Sequence, residues 1–344
     1  EVVPNSGCGS WLLEPQSTNF AVPSDNKNNI NSGDIQGTYV PNVLITAPDN
    51  SNTAYKFTPT QLGQSVEGAN ASTNNRLYFE YGGVITTYTN SIYVKSVSGN
   101  TFNFAIKVVN QSSDTLISSK TISVTDVWKR VDVTGLVNGS SSGVRYVIKS
   151  EQAVNLWGFQ IEKQSFATSY IPTQGAASTR LRDIATNSGN ASLINSESGV
   201  LYAEISPFDN GAYNIWSLSN LSNKEIWIGA KNGLLASSLY DGTTFVINNS
   251  VSLLDGNNKA ALKWVSGTSA EVWLNGLKVY TYTGTIPTYV ANDLTTFGQG
   301  DRQGGFPFYG KTKALAVYKT ALTDASLRCL TYPPAVATTF DLNF

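Results

Sequence analysis

The amino-acid sequence predicts an all-β protein, two antiparallel β-sandwich (jelly-roll) domains in tandem. Three observations carry this expectation: apolar and polar residues alternate in short runs, Gly, Asn and Ser separate the runs, and helical periodicity is nearly absent. With 344 residues, the chain has material for two cores of ordinary size.

The clearest run is Thr101 to Val108, which puts Phe102, Phe104, Ile106 and Val108 on one face and mostly polar groups on the other. Similar strands are expected at Leu77 to Tyr81, Ser91 to Lys95, Thr121 to Val124, Lys129 to Val133, Val144 to Ile148 and Leu156 to Ile161. Turns fall at Ser98-Gly99-Asn100 and Asn138-Gly139-Ser140. The second half repeats the texture at Val200 to Ile205, Asn214 to Leu218, Glu225 to Ala230, Leu234 to Leu239, Ala260 to Val265, Glu271 to Leu274, Lys278 to Thr283 and Leu315 to Tyr318. Asn275-Gly276, between two of these runs, is a strong hairpin signal. One segment reads as helix, Thr323 to Leu330, with Thr323 as N-cap, Asp324 in the first turn and Pro333 as a stop. Small and polar residues around Pro172 to Ser178 place the boundary there, giving domains 1–178 and 179–344.

Composition excludes several function classes. A net charge of -1 with 14% charged residues supplies no basic footprint for nucleic acid or anionic lipid. No apolar run approaches the roughly 18 residues a membrane span needs. The chain has no His, which removes the usual general base, the commonest transition-metal ligand and the His-paired nucleophiles. Cys8 and Cys329 stand at opposite ends and read as free thiols. There is no Met, so the expectation is a processed or trimmed N-terminus. The N-x-S/T triplets at Asn70, Asn110, Asn138, Asn190 and Asn220 arise by chance in so Asn- and Ser-rich a chain.

Two stretches carry a family resemblance. Ser10-Trp11-Leu12-Leu13-Glu14-Pro15-Gln16-Ser17-Thr18-Asn19 resembles the opening of a module found in phage tail-fibre and other virion proteins. Trp157-Gly158-Phe159-Gln160-Ile161-Glu162, with Thr168-Ser169-Tyr170-Ile171-Pro172-Thr173, resembles the close of the same module. Between them, Ser91 to Lys95, Ser98 to Phe102 and Trp128 to Val131 look like strands of jelly-roll carbohydrate-binding modules. The second half is similar to concanavalin A-like, laminin-G-like sandwiches at Gly199 to Ile205, Glu271 to Gly276 and Leu315 to Thr323.

What these resemblances imply is a non-catalytic bacteriophage virion protein, a tail or head fibre, that binds host-surface carbohydrate. Its partners would be that glycan and other virion proteins, and fibres of this kind are commonly homotrimers. Two alternatives stay open: a capsid or tail decoration subunit without a glycan ligand, and a bacterial secreted surface adhesin or polysaccharide-degrading enzyme. Glycosidases need paired carboxylates about one bond, yet Glu225 and Glu271 each lack an acid two residues away. Sugar binding needs an aromatic surface and fixed polar groups, which Tyr240, Asp241, Asp301, Arg302, Phe306 and Tyr309 supply in turn contexts. Phe306, Phe308 and Tyr309 equally suit a lead into the core, as do the seven Trp residues. The laminin-G-like resemblance also implies a calcium rim, with Asp241 and Asp301 the expected ligands and Asp255 and Asp293 further carboxylates in turns.

Overall fold

The computed structural model describes residues 10–22, 37–63, 66, 76–81, 86–110, 115–136, 144–185, 188–209 and 211–332. Cys8, the Asn138-Gly139-Ser140 turn and Asn70 lie outside the described residues. The chain divides into two compact units. The first runs from Pro15 to Arg182, and the second joins the described residues up to Glu14 to those from Asp183 onward.

In chain order the strands begin with β1 (Trp11–Leu13), β2 (Ser17–Asn19), β3 (Gly37–Val40), β4 (Tyr55–Pro59), β5 (Arg76–Tyr81) and β6 (Thr87–Ser96). They continue with β7 (Phe102–Asn110), β8 (Leu116–Val124), β9 (Lys129–Leu136), β10 (Val144–Ser150), β11 (Val154–Glu162) and β12 (Ser178–Arg180). The second half holds β13 (Ser198–Pro207), β14 (Asn214–Ser219), β15 (Glu225–Lys231), β16 (Leu234–Tyr240) and β17 (Phe245–Ser252). It ends with β18 (Asn258–Val265), β19 (Ser269–Leu274), β20 (Leu277–Thr281), β21 (Thr296–Gln299), β22 (Gly310–Tyr318) and the single described helix, α1 (Asp324–Thr331).

Both units are antiparallel β-sandwiches, the architecture that the alternating pattern predicts. In the first, the sheets β3-β4-β11-β6-β9 and β5-β10-β7-β8 face each other, and β12-β2 forms a small ribbon. Inward-facing Tyr88, Ile92, Val94, Phe104, Ile106, Val108, Ile148 and Leu156 fill the core between them. In the second, β1-β22-β13-β18-β19-β20 faces β17-β16-β15-β14-β21. Its core is built on Leu201, Trp216, Leu218, Ile226, Ile228, Leu262, Trp264, Tyr289 and Phe308.

The two motif stretches meet inside the first sandwich, and their polar residues are what join them. Asn19 is fully buried. Its amide donates to the carbonyls of Phe159 at 3.3 Å and Ile171 at 2.8 Å. Its oxygen accepts from the amides of Ala21 at 2.9 Å and Ile161 at 3.0 Å. Glu162, also fully buried, accepts from Ser17 Oγ at 2.6 Å, Thr168 Oγ1 at 2.5 Å and Thr168 N at 3.0 Å. Gln160 accepts from Ile171 N at 2.7 Å and donates to the Thr168 and Ser169 carbonyls. These residues satisfy backbone groups that a strand crossing would otherwise strand without partners. The motif is therefore a closure of the jelly roll.

The domain division differs from the expected cut after residue 178. The stretch Ser10 to Asn19 is shared: β1 pairs with β22, Leu13 opposite Gly310, while β2 pairs with β12. Asp183 N donates to Glu14 O at 2.9 Å, and Glu14 N donates to Asp183 Oδ2 at 2.8 Å, so the chain leaves and re-enters the second unit at one point. Trp11, expected in a core, sits on this edge strand and is 64% exposed. The local expectations at the other end hold. Asn275 and Gly276 both adopt positive φ, 49° and 87°, as a two-residue hairpin turn requires. Thr323 caps α1 by accepting from Ser326 N at 3.2 Å. Cys329 on that helix is a free, exposed thiol.

Candidate functional site

The site lies on the outward face of the sheet β17-β16-β15-β14-β21. Trp216, Leu218, Ile226, Ile228 and Leu239 point into the core. Alternation therefore turns Ser217, Ser219, Glu225, Trp227 and Tyr240 the other way. Over this face folds the loop between β21 and β22. Both its ends are tied to β14: Gly300 N donates to Ile215 O at 2.8 Å, Ile215 N to Phe306 O at 3.0 Å, and Ser217 Oγ to Gly300 O at 2.5 Å. Gly300, at φ 109°, permits the close return of the loop, since a Cβ there would lie 2.7 Å from Gly305 O.

The tip of the loop is organised by Asp301. Its Oδ1 accepts from Gln303 N at 2.9 Å and Gly305 N at 2.7 Å, and its backbone exchanges bonds with Gly304 and Gly305. The next residue reaches back to the sheet. Arg302 N donates to Glu225 Oε2 at 2.9 Å and Arg302 Nη1 to Glu225 Oε1 at 2.7 Å. The same guanidinium lies over the Tyr240 ring, 4.7 Å from its centroid. Glu225 is 2% exposed, and burial pushes its carboxyl above the ordinary range. The hydrogen bonds and charge of Arg302 oppose that push, while Asp301 adds to it. Beside this ion pair runs a groove of about 350 Å³ lined by Ser217, Ser219, Thr296, Asp301, Arg302 and Gln303, among others.

The sequence-predicted residues separate into four environments. Tyr240 and Arg302 are in contact, and Asp301 and Arg302 line the groove. Asp241 Oδ1 accepts from Thr243 N, Thr243 Oγ1 and Thr244 N, and Oδ2 accepts from Thr288 N at 2.7 Å. Burial raises its pKa, but these donors together outweigh it and hold the carboxyl at about 2. Phe306 stands apart from Tyr240, half-exposed at φ 51°, edge-on to Tyr213 at 5.9 Å. Tyr213 in turn meets Trp227 at 5.5 Å and carries the Lys231 ammonium over its ring at 4.3 Å. Tyr309 is buried and offers no ring surface to a ligand, because the chain enters β22 there; Phe308 beside it stacks on Trp216 in the core.

Among the described residues the expected calcium ligands do not gather with other acidic side chains into a metal site. Calcium takes roughly 6–8 oxygens, whereas Asp241 commits both oxygens to N–H and O–H donors and Asp301 commits Oδ1 to two amides. Asp293 accepts from Lys224 Nζ at 2.6 Å and from Val290 N, and Asp255 is exposed. Among the described residues no group of three or more His, Cys, Asp or Glu gathers to hold a metal ion.

Glu225 is the residue that sequence reasoning left standing alone. Its partner Arg302 is 77 positions away, and only the loop's return to β15 joins them. The groove's Ser217, Ser219 and Thr296 were missed as well; Ser217 and Ser219 alternate with Trp216 and Leu218, which marks them as one outward-facing polar row. The geometry suits holding a polar ligand. Each oxygen of Glu225 accepts one hydrogen bond from Arg302, which holds the carboxylate and the guanidinium in fixed register.

No family model matches the chain, and no curated protein matches it. Among solved structures, domain 4 of AbnA, a GH43 extracellular arabinanase from Geobacillus stearothermophilus, in complex with arabinotriose, is similar over 49% of this chain and 81% of that one, with 17% identity and a TM-score of 0.33. Domains LG4-5 of the mouse laminin alpha1 chain cover 75% of this chain and 91% of theirs at 11% identity and a TM-score of 0.28. The LG1-3 region of the laminin alpha2 chain covers 73% and 66% at 10% identity and a TM-score of 0.27. Likenesses this distant carry no argument about what this chain binds.

Proposed function

We propose that this protein is a non-catalytic carbohydrate-binding protein, with its site in the groove between the Gly300–Tyr309 loop and the outward face of β14 and β21. The observation that supports this most is the pairing of a polar groove of about 350 Å³ with a guanidinium fixed by a buried carboxylate and backed by the Tyr240 ring. Fixed polar groups are what sugar hydroxyls require. The rigid sheet supplies the fixing, and the loop supplies the variation.

The wider setting of the proposal is an extracellular one, on a bacteriophage tail or head fibre, where repeated weak contacts to a host glycan become strong through multivalency. It rests on the resemblance of the Ser10–Asn19 and Trp157–Thr173 stretches to virion modules. A structural virion subunit, decorating a capsid or tail, is the rival reading. No described helix is long and apolar enough to cross a membrane.

A glycan array probed with purified protein at neutral pH, with calcium and then with a chelator, tests the proposal. Selective binding unchanged by the chelator is expected, because Asp241 and Asp301 serve their own turns. A blank array in both buffers, or release of cleaved sugar, would overturn it.

A further inference from the structure

The charge of the groove, rather than its shape, speaks to the class of sugar it takes. Around Arg302 lie Glu225, to which it is bonded, and Asp301, the adjacent loop residue. These are two carboxylates against one cation, so the one guanidinium that reaches the groove carries no surplus positive charge. Arg302 nevertheless keeps N–H donors beyond the one that Nη1 gives Glu225, and its side chain is 24% exposed. Asp301 accepts its two loop amides through Oδ1, and among the described residues Oδ2 accepts no hydrogen bond.

We infer that the groove recognises a neutral sugar through adjacent hydroxyls, one donating to Asp301 and one accepting from Arg302, and that Glu225 is the residue that makes it reject acidic sugars. Glu225 acts through Arg302: it fixes the guanidinium over Tyr240 and cancels its charge. This rests on the carbohydrate-binding reading of the same site and adds the class of ligand to it. A uronate or sialate carboxylate would meet a local field that is negative on balance, and like charges brought together cost binding energy that neutral hydroxyls do not. With Glu225 uncharged, Arg302 would become a free cation of the kind that grips carboxylates.

The test uses the full chain and immobilised pairs of matched probes: N-acetyllactosamine against its sialylated form, and galactotriose against trigalacturonate. The unaltered protein is expected to retain the neutral member of a pair at least about tenfold better than the acidic one, the scale of one unfavourable charge contact near a surface. Glu225→Gln keeps an acceptor for Arg302 N and removes the charge, so the ratio of neutral to acidic binding should fall on the order of tenfold. Should that variant not fold, as judged by near-ultraviolet circular dichroism, a salt series on the unaltered protein replaces it. Raising NaCl from about 0.01 to 1 M shortens the screening length from ~30 to ~3 Å, and binding of the acidic probes should then rise. Preference for the acidic probes, a ratio unmoved by Glu225→Gln, or acidic binding that falls with salt would overturn the neutral-sugar inference and leave sugar binding standing. A panel on which neither class is retained would overturn both.

Discussion

Removing the Asn19 side chain should unfasten the jelly roll at its seam. In Asn19→Ala the amides of Ala21 and Ile161 lose their acceptor, and the carbonyls of Phe159 and Ile171 lose a donor. The position is fully buried, so water does not replace the lost partners in the folded state. Each buried unmet donor costs about 1–3 kcal/mol, and two give roughly 4 kcal/mol. For a unit the size of Pro15–Arg182, each kcal/mol lowers the midpoint by about 2–4 °C, so a loss of roughly 8–16 °C is expected. Differential scanning calorimetry reads the midpoint, and hydrogen exchange at Ala21 and Ile161 reads the local cause. Thr18→Ala is the control: its hydroxyl pairs with Thr179 at 2.7 Å in an exposed setting and should cost under about 0.5 kcal/mol. A loss below about 2 °C in Asn19→Ala, with exchange at both amides unchanged, would refute the closure argument.

Three further outcomes follow from particular residues. Asn90 is fully buried on the same face of β6 as Tyr88, Ile92 and Val94, with no partner among the described residues for either side-chain polar atom; Asn90→Leu should stabilise the first sandwich by about 1–3 kcal/mol in urea unfolding, and a loss of stability would contradict this. At Gly229 a Cβ would run into the carbonyl oxygen of Asn214 on the neighbouring strand, so Gly229→Ala should cost about 1–3 kcal/mol or more by parting β14 from β15; a wild-type midpoint would show that the strands yield without cost. The Asp241 carboxyl, held at about 2 against an ordinary 3.8, lends its loop stability that is complete above that ordinary value and lost as pH falls through about 2. An NMR titration of the Thr288 amide should show that midpoint, and one at or above 3.8 would mean the carboxylate is not the acceptor.

Much of the fold was legible because a two-residue period and turn chemistry are local. Phe102 to Val108 announces a half-buried strand without reference to anything distant, and Asn275-Gly276 announces its turn by the φ angles those residues tolerate. Elements shaped by distant partners were illegible. The strand β17 escaped notice because its pairing with β16 shifts register between Leu235 and Ser237, which breaks the alternation a reader counts. The strands β1 and β2 are three residues each and owe their form to β22 and β12. The site shows the same division. Aromatic and polar residues in a Gly-rich loop flagged Asp301 and Arg302, whereas Glu225 acquires its meaning only when a loop 77 residues later folds onto it. Asp241 and Asp301 read as metal ligands because a carboxylate in a turn looks the same whether it faces an ion or caps its own backbone.

The split course of the first strand has a bearing on how the protein is made and cut. Trp11 to Leu13 leave the ribosome roughly 300 residues ahead of Gly310 to Thr312, the segment they pair with. At ~5–20 residues per second that is a wait of about 15–60 s, through which an apolar tripeptide stays without its neighbour while the sandwich between them condenses. A gene fragment begun at Asp183 would encode every other strand of the second unit and leave one edge of β22 bare, inviting a passing chain to take the place of β1.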